Sequence, residues 1–176
     1  MDELYDLVLK RRSTRKFKNE KLPKEVIDKI LNISLTAPSS WGAHPVHFIL
    51  VEDKEKIKQI AQCKAMGATP LLTASAAIVI MVDTSNCELW IEDASVASTY
   101  ILLAAEHYDA GACWIHIRNR NGQHKSADEE IRDLLNVPDK YRVLNVVALG
   151  VKDEDMKAHT LEEYSQDNIH IESYNN

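Results

Sequence analysis

The 176-residue sequence has few of the residues typical of a protein that is cross-linked by disulfides, built from repeats or rich in flexible linkers. Glycine and proline number only five each, so no low-complexity linker is present, and no segment recurs at a solenoid period. The three cysteines lie far apart, without a CxxC pair or a zinc-ligand spacing, which favours reduced thiols in a cytoplasmic setting. Length and composition therefore predict one domain over residues 1–176, with a core of ordinary size.

Membrane, metal and dinucleotide signals are also missing. Residues 30–51 and 65–82 contain no Asp, Glu, Lys or Arg, but glycine and proline interrupt both runs, so neither is predicted to span a membrane. The N-terminus opens with acidic residues, which is not expected of a signal peptide. His44 and His47 would point to opposite faces of an extended segment, so no metal site is predicted. Neither a GxGxxG nor a GxxxxGK[ST] fingerprint occurs.

Positive charge is concentrated in KRRSTRKFK, residues 10–18, although the chain carries a formal net charge of −6. One interpretation is a solvated helix end, where cations offset the helix dipole. The other is a phosphate site, because one guanidinium group can donate two parallel hydrogen bonds to phosphate oxygens and a hydroxyl can add a further contact. Nucleic-acid binding is disfavoured, since Phe17 is the one aromatic residue nearby and no second basic stripe follows.

Hydrophobic periodicity predicts helices and strands that alternate in the middle of the chain. Helices are predicted at 2–12, 23–36, 54–63, 88–109 and 127–135, and strands at 46–52, 76–83, 112–118 and 141–150. Residues 94–105 are apolar or small nearly all round, which predicts a helix buried on every side, in part by a partner subunit. Gly111 is expected to cap that helix. The order predicts an α/β or α+β sandwich around a mixed sheet.

Two further motifs combine polar and aromatic side chains. PSSWGAHP, residues 38–45, is predicted to be a loop, either an ordinary helix stop or a surface that hydrogen-bonds to and stacks on a heteroaromatic ring. GACWIH, residues 111–116, is interpreted as a core strand with a buried Trp or as a strand that carries Cys113 as a nucleophile. The first interpretation is favoured, because no catalytic partner is marked and buried free cysteines are common.

Four segments in register resemble the FMN-dependent nitroreductase family: RRSTRKF, LTAPSSWGAHPVHFILVED, ASVASTYILLAAEHYDAGACWIHI and VLNVVALGV. The resemblance implies an α+β fold, a three-layer α/β/α sandwich around a mixed, mostly antiparallel sheet. It implies an intertwined homodimer with two FMN sites at the interface and a tail, 151–176, that embraces the partner.

The resemblance implies an oxidoreductase that passes reducing equivalents from NADH or NADPH through FMN to a nitroaromatic, quinone or similar acceptor in a ping-pong cycle. The flavin would carry the chemistry, so no catalytic acid–base side chain is expected. The alternatives are an FMN-binding storage or sensing protein with little turnover, and a small basic-patch binding module without a cofactor.

Site residues follow from the same resemblance. Arg11 and Ser13 are expected to hold the FMN phosphate with help from Arg12, and Arg15 to lie near flavin N1 and the C2 carbonyl. A loop is expected to reach the flavin of the other subunit, and a strand end to lie beside the ring. The loop residues are Pro38, Ser39, Ser40, Trp41 and His44, and the strand residues are Trp114, Ile115 and His116.

The sequence departs from the family pattern in three places. Gly42 and His44 stand where an Asn and a Gln are usual, and His116 stands where a Gly is usual, which could narrow the pocket. The tail lacks the usual pair of basic residues, so His159 or Lys157 is expected to complete the phosphate site.

Overall fold

A four-stranded sheet with helices on both faces organises the computed structural model, which describes residues 2–174. The strands are β1 (Val46–Val51), β2 (Ala76–Asp83), β3 (Ala110–His116) and β4 (Tyr141–Val151). They lie in the order β1–β2–β4–β3, and every pair is antiparallel. The sheet was predicted to be mixed, but within residues 2–174 the parallel pairing is limited to one isolated bridge between Ser13 and Ala112.

Five α-helices surround the sheet and agree with the predicted positions to within two residues at either end. They are α1 (Glu3–Lys10), α2 (Lys24–Leu35), α3 (Lys54–Gln62), α4 (Trp90–His107) and α5 (Ala127–Leu135). Local caps explain two of the starts. The Asp53 side chain accepts from the Lys56 amide, and Ser126 with Glu129 forms a capping box.

Alternation along the strands builds the three layers. On β2, Ala77 and Val79 face a core shared with α3 and α5, whereas Ile78 and Ile80 face a core shared with α2 and α4. Successive side chains of a strand point to opposite faces, so an uninterrupted apolar strand can be covered on both sides. The predicted three-layer α/β/α arrangement is confirmed.

Helix α4 is incompletely buried within one chain, and it differs from its prediction in how it ends. Val96 is 36% exposed and Thr99 is also exposed, and the expected cover of this face by a partner subunit stays a prediction. The helix ends at His107 with Tyr108 as its C-cap, and Asp109 takes the left-handed conformation with a φ of 56°. Gly111 is therefore not the cap; it lies inside β3.

After β4, the described part of the tail is polar, as predicted, and forms only two short 3-10 turns, Leu161–Glu163 and Gln166–Asn168. Several of its apolar side chains are exposed, among them Leu161, Ile169 and Tyr174. Within residues 2–174, no helix combines the length and the apolar character that crossing a bilayer requires.

Candidate functional site

The basic segment at residues 10–18 lies across one end of the sheet. Helix α1 ends at Lys10, and the chain continues extended from Arg11. The Thr14 amide donates to the Ala112 carbonyl at 2.9 Å, and the Lys18 amide donates to the Val151 carbonyl at 2.9 Å. The helix-end interpretation therefore applies to Lys10, whereas the residues that follow are hydrogen-bonded to β3 and to β4.

Two glycines make room for this segment. Gly111 and Gly150 face each other across β3 and β4. A Cβ on Gly111 would lie 2.8 Å from Cγ2 of Thr14, and a Cβ on Gly150 would lie 2.8 Å from Cδ1 of Phe17. Real Cβ atoms do not approach heavy atoms this closely, so the missing side chains allow Thr14 and Phe17 to pack directly on the sheet.

The arginines of the segment differ in what their side chains contact. The Arg12 guanidinium donates to the Lys157 carbonyl, and Nη1 of Arg15 donates to the Ser13 carbonyl at 3.2 Å. Within residues 2–174, neither the Arg11 guanidinium nor the Ser13 hydroxyl has a hydrogen-bond or ion-pair partner. Arg11 and Ser13 are thus available to an anion, as are the exposed amines of Lys16 and Lys18.

The tail returns to this segment. The His159 amide donates to the Leu9 carbonyl at 2.8 Å, and its Nδ1 lies 2.7 Å from Oε2 of Glu163. This contact lowers the pKa of the Glu163 carboxyl. Glu154 accepts from the amides of Arg15 and Lys16. The structure places His159 and the Lys157 backbone beside the basic segment.

Lys152, the other basic residue at the start of the tail, is already paired. Its Nζ lies 3.0 Å from Oε1 of the buried Glu106 and 3.2 Å from Oδ1 of Asp109. Its charge is therefore balanced by carboxylates and is not available to a phosphate.

The loop at residues 38–44 is fixed by a buried carboxylate. Both the amide and the hydroxyl of Ser40 donate to Asp93 in the first turn of α4, each at 2.7 Å, and the His44 amide donates to Ser39 Oγ at 2.8 Å. Trp41 has a φ of 55° and is 99% exposed. The serine hydroxyls thus hold the loop in shape, while the indole projects fully into solvent.

The outer edge of β3 carries the predicted strand residues. The rings of Trp114 and His116 stack with centroids 6.4 Å apart and an interplanar angle of 13°. Because the Ala112 carbonyl accepts from Thr14 outside the sheet, alternation directs the backbone groups of Trp114 and His116 to the same outer edge. Ile115 is buried on the opposite face of the strand, in the core shared with α3 and α5.

The loop and the basic segment are far apart within one chain. β1 and β3 are opposite edges of the sheet. Val46, the first residue of β1 after the loop, pairs with Val82 of β2, which in turn pairs with Arg142 of β4. Ala112 of β3 instead pairs with Leu149, which lies seven residues further along β4. At about 4.8 Å between strands and about 3.3 Å per residue, the separation is on the order of 25 Å. One chain does not bring the two groups to the same ligand.

The Nitroreductase family model matches residues 8–90 and 72–151. A "Putative NADH dehydrogenase/NAD(P)H nitroreductase" of Archaeoglobus fulgidus is 34% identical over 179 residues, covering 99% of this chain and 100% of that protein. This chain belongs to the nitroreductase family. The family predicted from the four sequence segments is confirmed.

Two further nitroreductase-family relatives agree over nearly the full length. A protein of the same printed name from Methanothermobacter thermautotrophicus is 32% identical, covering 98% of this chain and 88% of that protein. A solved structure described as an FMN-dependent nitroreductase from Clostridium difficile R20291 superimposes with a TM-score of 0.93 and 41% identity. It covers 96% of this chain and 99% of that chain, which confirms the α+β fold.

Three cations of this nitroreductase-family site were not predicted from the sequence. Lys64, Arg118 and Arg120 all lie close enough to His116 to lower its pKa, although burial is the larger cause. A lowered pKa leaves the imidazole mainly neutral at pH 7. Lys64 and Arg120 lie in turns, where no sequence periodicity predicts which side chains meet. Arg118 follows the strand alternation that places Trp114 and His116 on one face of β3.

The alternative role of Cys113 as a nucleophile is not supported. The thiol is buried, and desolvation raises its pKa, against a smaller opposite effect of Arg15. A nucleophilic cysteine needs a lowered pKa and access. The core-strand interpretation is therefore the better one.

Proposed function

We propose that this nitroreductase-family chain is an FMN-dependent oxidoreductase that passes reducing equivalents from NADH or NADPH to a nitroaromatic, quinone or similar small acceptor. One observation carries the proposal. An unpaired guanidinium and hydroxyl, Arg11 and Ser13, lie beside β3 at Ala112, and within residues 2–174 the outward-facing amides of Trp114 and His116 have no hydrogen-bond partner. Two relatives support it, one named as an NAD(P)H nitroreductase and one described as an FMN-dependent nitroreductase.

The donor set fits FMN at both of its ends. A guanidinium with an adjacent hydroxyl is suited to a phosphate monoester, because charge-assisted bonds to phosphate oxygens are strong and directional. The edge of β3 offers unpaired backbone amides beside the flat Trp114–His116 stack, which suits a heteroaromatic ring with hydrogen-bonding edges. His159 and Lys157 would close the phosphate end from the tail.

FMN, when bound, would supply hydride acceptance and donation, and the protein would supply position and charge. Arg11, Ser13 and, through the tail, Arg12 would anchor the phosphate. Arg15 would place a fixed cation where negative charge develops in the reduced ring, which favours the reduced state. The His116 or Trp114 amide would orient the ring from the strand edge. No acid–base side chain is assigned.

The experiment that tests this function is anaerobic reduction of the purified protein. We expect FMN to co-purify or to bind on addition, NADH or NADPH to bleach its absorbance, and a quinone to restore it. Flavin that binds but stays oxidised with both donors would contradict the enzyme and favour FMN storage or sensing. Protein that takes up no FMN would contradict both.

We also propose that each site is built by two copies of the chain, each a single domain over residues 1–176. By strand spacing, Val46 at the end of the loop lies about 25 Å from Ala112 beside the basic segment, and a second copy would bring loop and segment together. Exposed apolar side chains on α1, Leu4, Tyr5 and Val8, and in the tail offer the surface that a partner would cover.

The mass of the FMN-loaded protein in solution tests the shared site. Sedimentation equilibrium should give about twice the chain mass of 19.9 kDa. Since obligate homodimers bury large, apolar interfaces, dilution to micromolar concentration should not dissociate it. A monomer that retains FMN would contradict the two-copy site while leaving the FMN assignment intact.

A further inference from the structure

A solvent-open cavity lies between the turn after α3 and the turn after β3, close to the end of β3 that carries His116. Its lining residues are Lys64, Ala65, Met66, Gly67, Arg120 and Asn121. The Ala65 amide donates to the Asn121 carbonyl at 3.0 Å, so the two turns are joined. The lining contains two cations and no carboxylate.

The cations of this cavity are uncompensated. None of the ion pairs formed within residues 2–174 involves Lys64, Arg118 or Arg120. Burial lowers the pKa of Lys64, and the positive charge of Arg120 lowers it further. Within residues 2–174, the acidic chain thus leaves the partly buried Lys64 and the exposed Arg120 close together without an ion-pair partner, and a bound anion would relieve their mutual repulsion.

The cavity is distinct from the phosphate end of the proposed FMN site. Arg11 and Ser13 lie level with Ala112, where Ser13 bridges to β3. Lys64 and Arg120 act on His116, four positions further along the strand, which corresponds to roughly 13 Å at about 3.3 Å per residue. One phosphate therefore cannot contact both Arg11 and these charges.

We propose that this cavity binds the anionic group, a carboxylate or a phosphate, of the substrate that exchanges electrons at the ring site. The inference rests on the proposed function for the identity of the neighbouring site. The anion has two possible sources, the carboxylate of an aromatic acceptor or the phosphates of the nicotinamide donor. Both place a charged group in the cavity and a flat ring beside the Trp114–His116 stack.

Binding without turnover is the first test. Benzoate and its neutral counterpart benzamide are titrated by calorimetry into the FMN-loaded protein, the double variant Lys64→Gln/Arg120→Gln, and the control Lys21→Gln/Lys56→Gln. The control removes the same charge at exposed positions elsewhere. Benzoate should bind at least about tenfold more tightly than benzamide, because hydrogen bonds to charged groups are stronger than those between neutral groups. Only the cavity variant should lose that preference. Equal affinities, or a preference kept by the cavity variant, would overturn the proposal.

The two half-reactions identify the source. Reduction by NADH and NADPH and reoxidation by a carboxylated and a neutral quinone are measured separately on the same variants. A cavity variant slowed about tenfold with the donors assigns the phosphates, and one slowed only with the carboxylated quinone assigns the acceptor. Rates unchanged in both would overturn the proposal. A protein that is not reduced at all contradicts the proposed function, whereas benzoate binding is judged independently of it.

Discussion

Replacing Arg11 by alanine should weaken FMN binding by about ten- to a hundredfold, the loss expected when a charge-assisted hydrogen bond worth roughly 1.5–3 kcal/mol is removed. The Arg11 guanidinium has no partner within residues 2–174, so its removal breaks no internal contact. The effect should therefore appear as affinity rather than as instability. Titrating the apo-protein with FMN and following flavin fluorescence measures it.

Two controls make the result specific. Riboflavin lacks the phosphate, so its affinity should be the same in the wild type and in Arg11→Ala. Arg12→Ala removes a guanidinium that donates to the Lys157 carbonyl, so it should loosen the tail and weaken FMN binding less. FMN affinity that is unchanged in Arg11→Ala, or riboflavin affinity that falls equally, would contradict the phosphate assignment.

Much of the fold is local in origin, which is why the sequence predicts it. The capping box at Ser126 and Glu129 marks the start of α5 within four residues of chain. Alternation alone places Cys113 and Ile115 on one face of β3 and Trp114 and His116 on the other. Each of these signals depends on neighbours in the chain, so no knowledge of the tertiary structure is needed.

The candidate site depends instead on contacts between distant segments. The carbonyl that fixes Arg12 belongs to Lys157, and the carboxylate that holds Ser40 belongs to Asp93. Lys64 and Arg120 meet only because the turns after α3 and β3 are neighbours in the fold. No spacing rule connects such residues. The family resemblance supplied candidate ligands and gave Arg12 the lesser role, but it did not predict that the Lys157 carbonyl engages the Arg12 guanidinium.

Gly111 shows the same limit, since its position after a long helix favoured a cap and its actual role is steric. Substituting alanine at Gly111 should lower the stability by about 1–3 kcal/mol, because overpacking a close contact forces the backbone or side chains to move. The new Cβ would lie 2.8 Å from Cγ2 of Thr14 and 3.1 Å from Cγ of Lys152. For a chain of this size, such a loss corresponds to roughly 3–10 °C in Tm.

The same substitution should also weaken FMN binding, although residue 111 contributes no side chain to the site. Thr14 lies between Ser13 and Arg15, and the hydrogen bond that its amide donates to the Ala112 carbonyl sets their position. Thr14→Ser removes the nearest methyl group and keeps the hydroxyl, so the double variant Gly111→Ala/Thr14→Ser should recover part of both losses. Thermal unfolding and FMN titration of the four chains in this cycle give the coupling energy. Strictly additive losses would mean that the segment is not positioned by this contact.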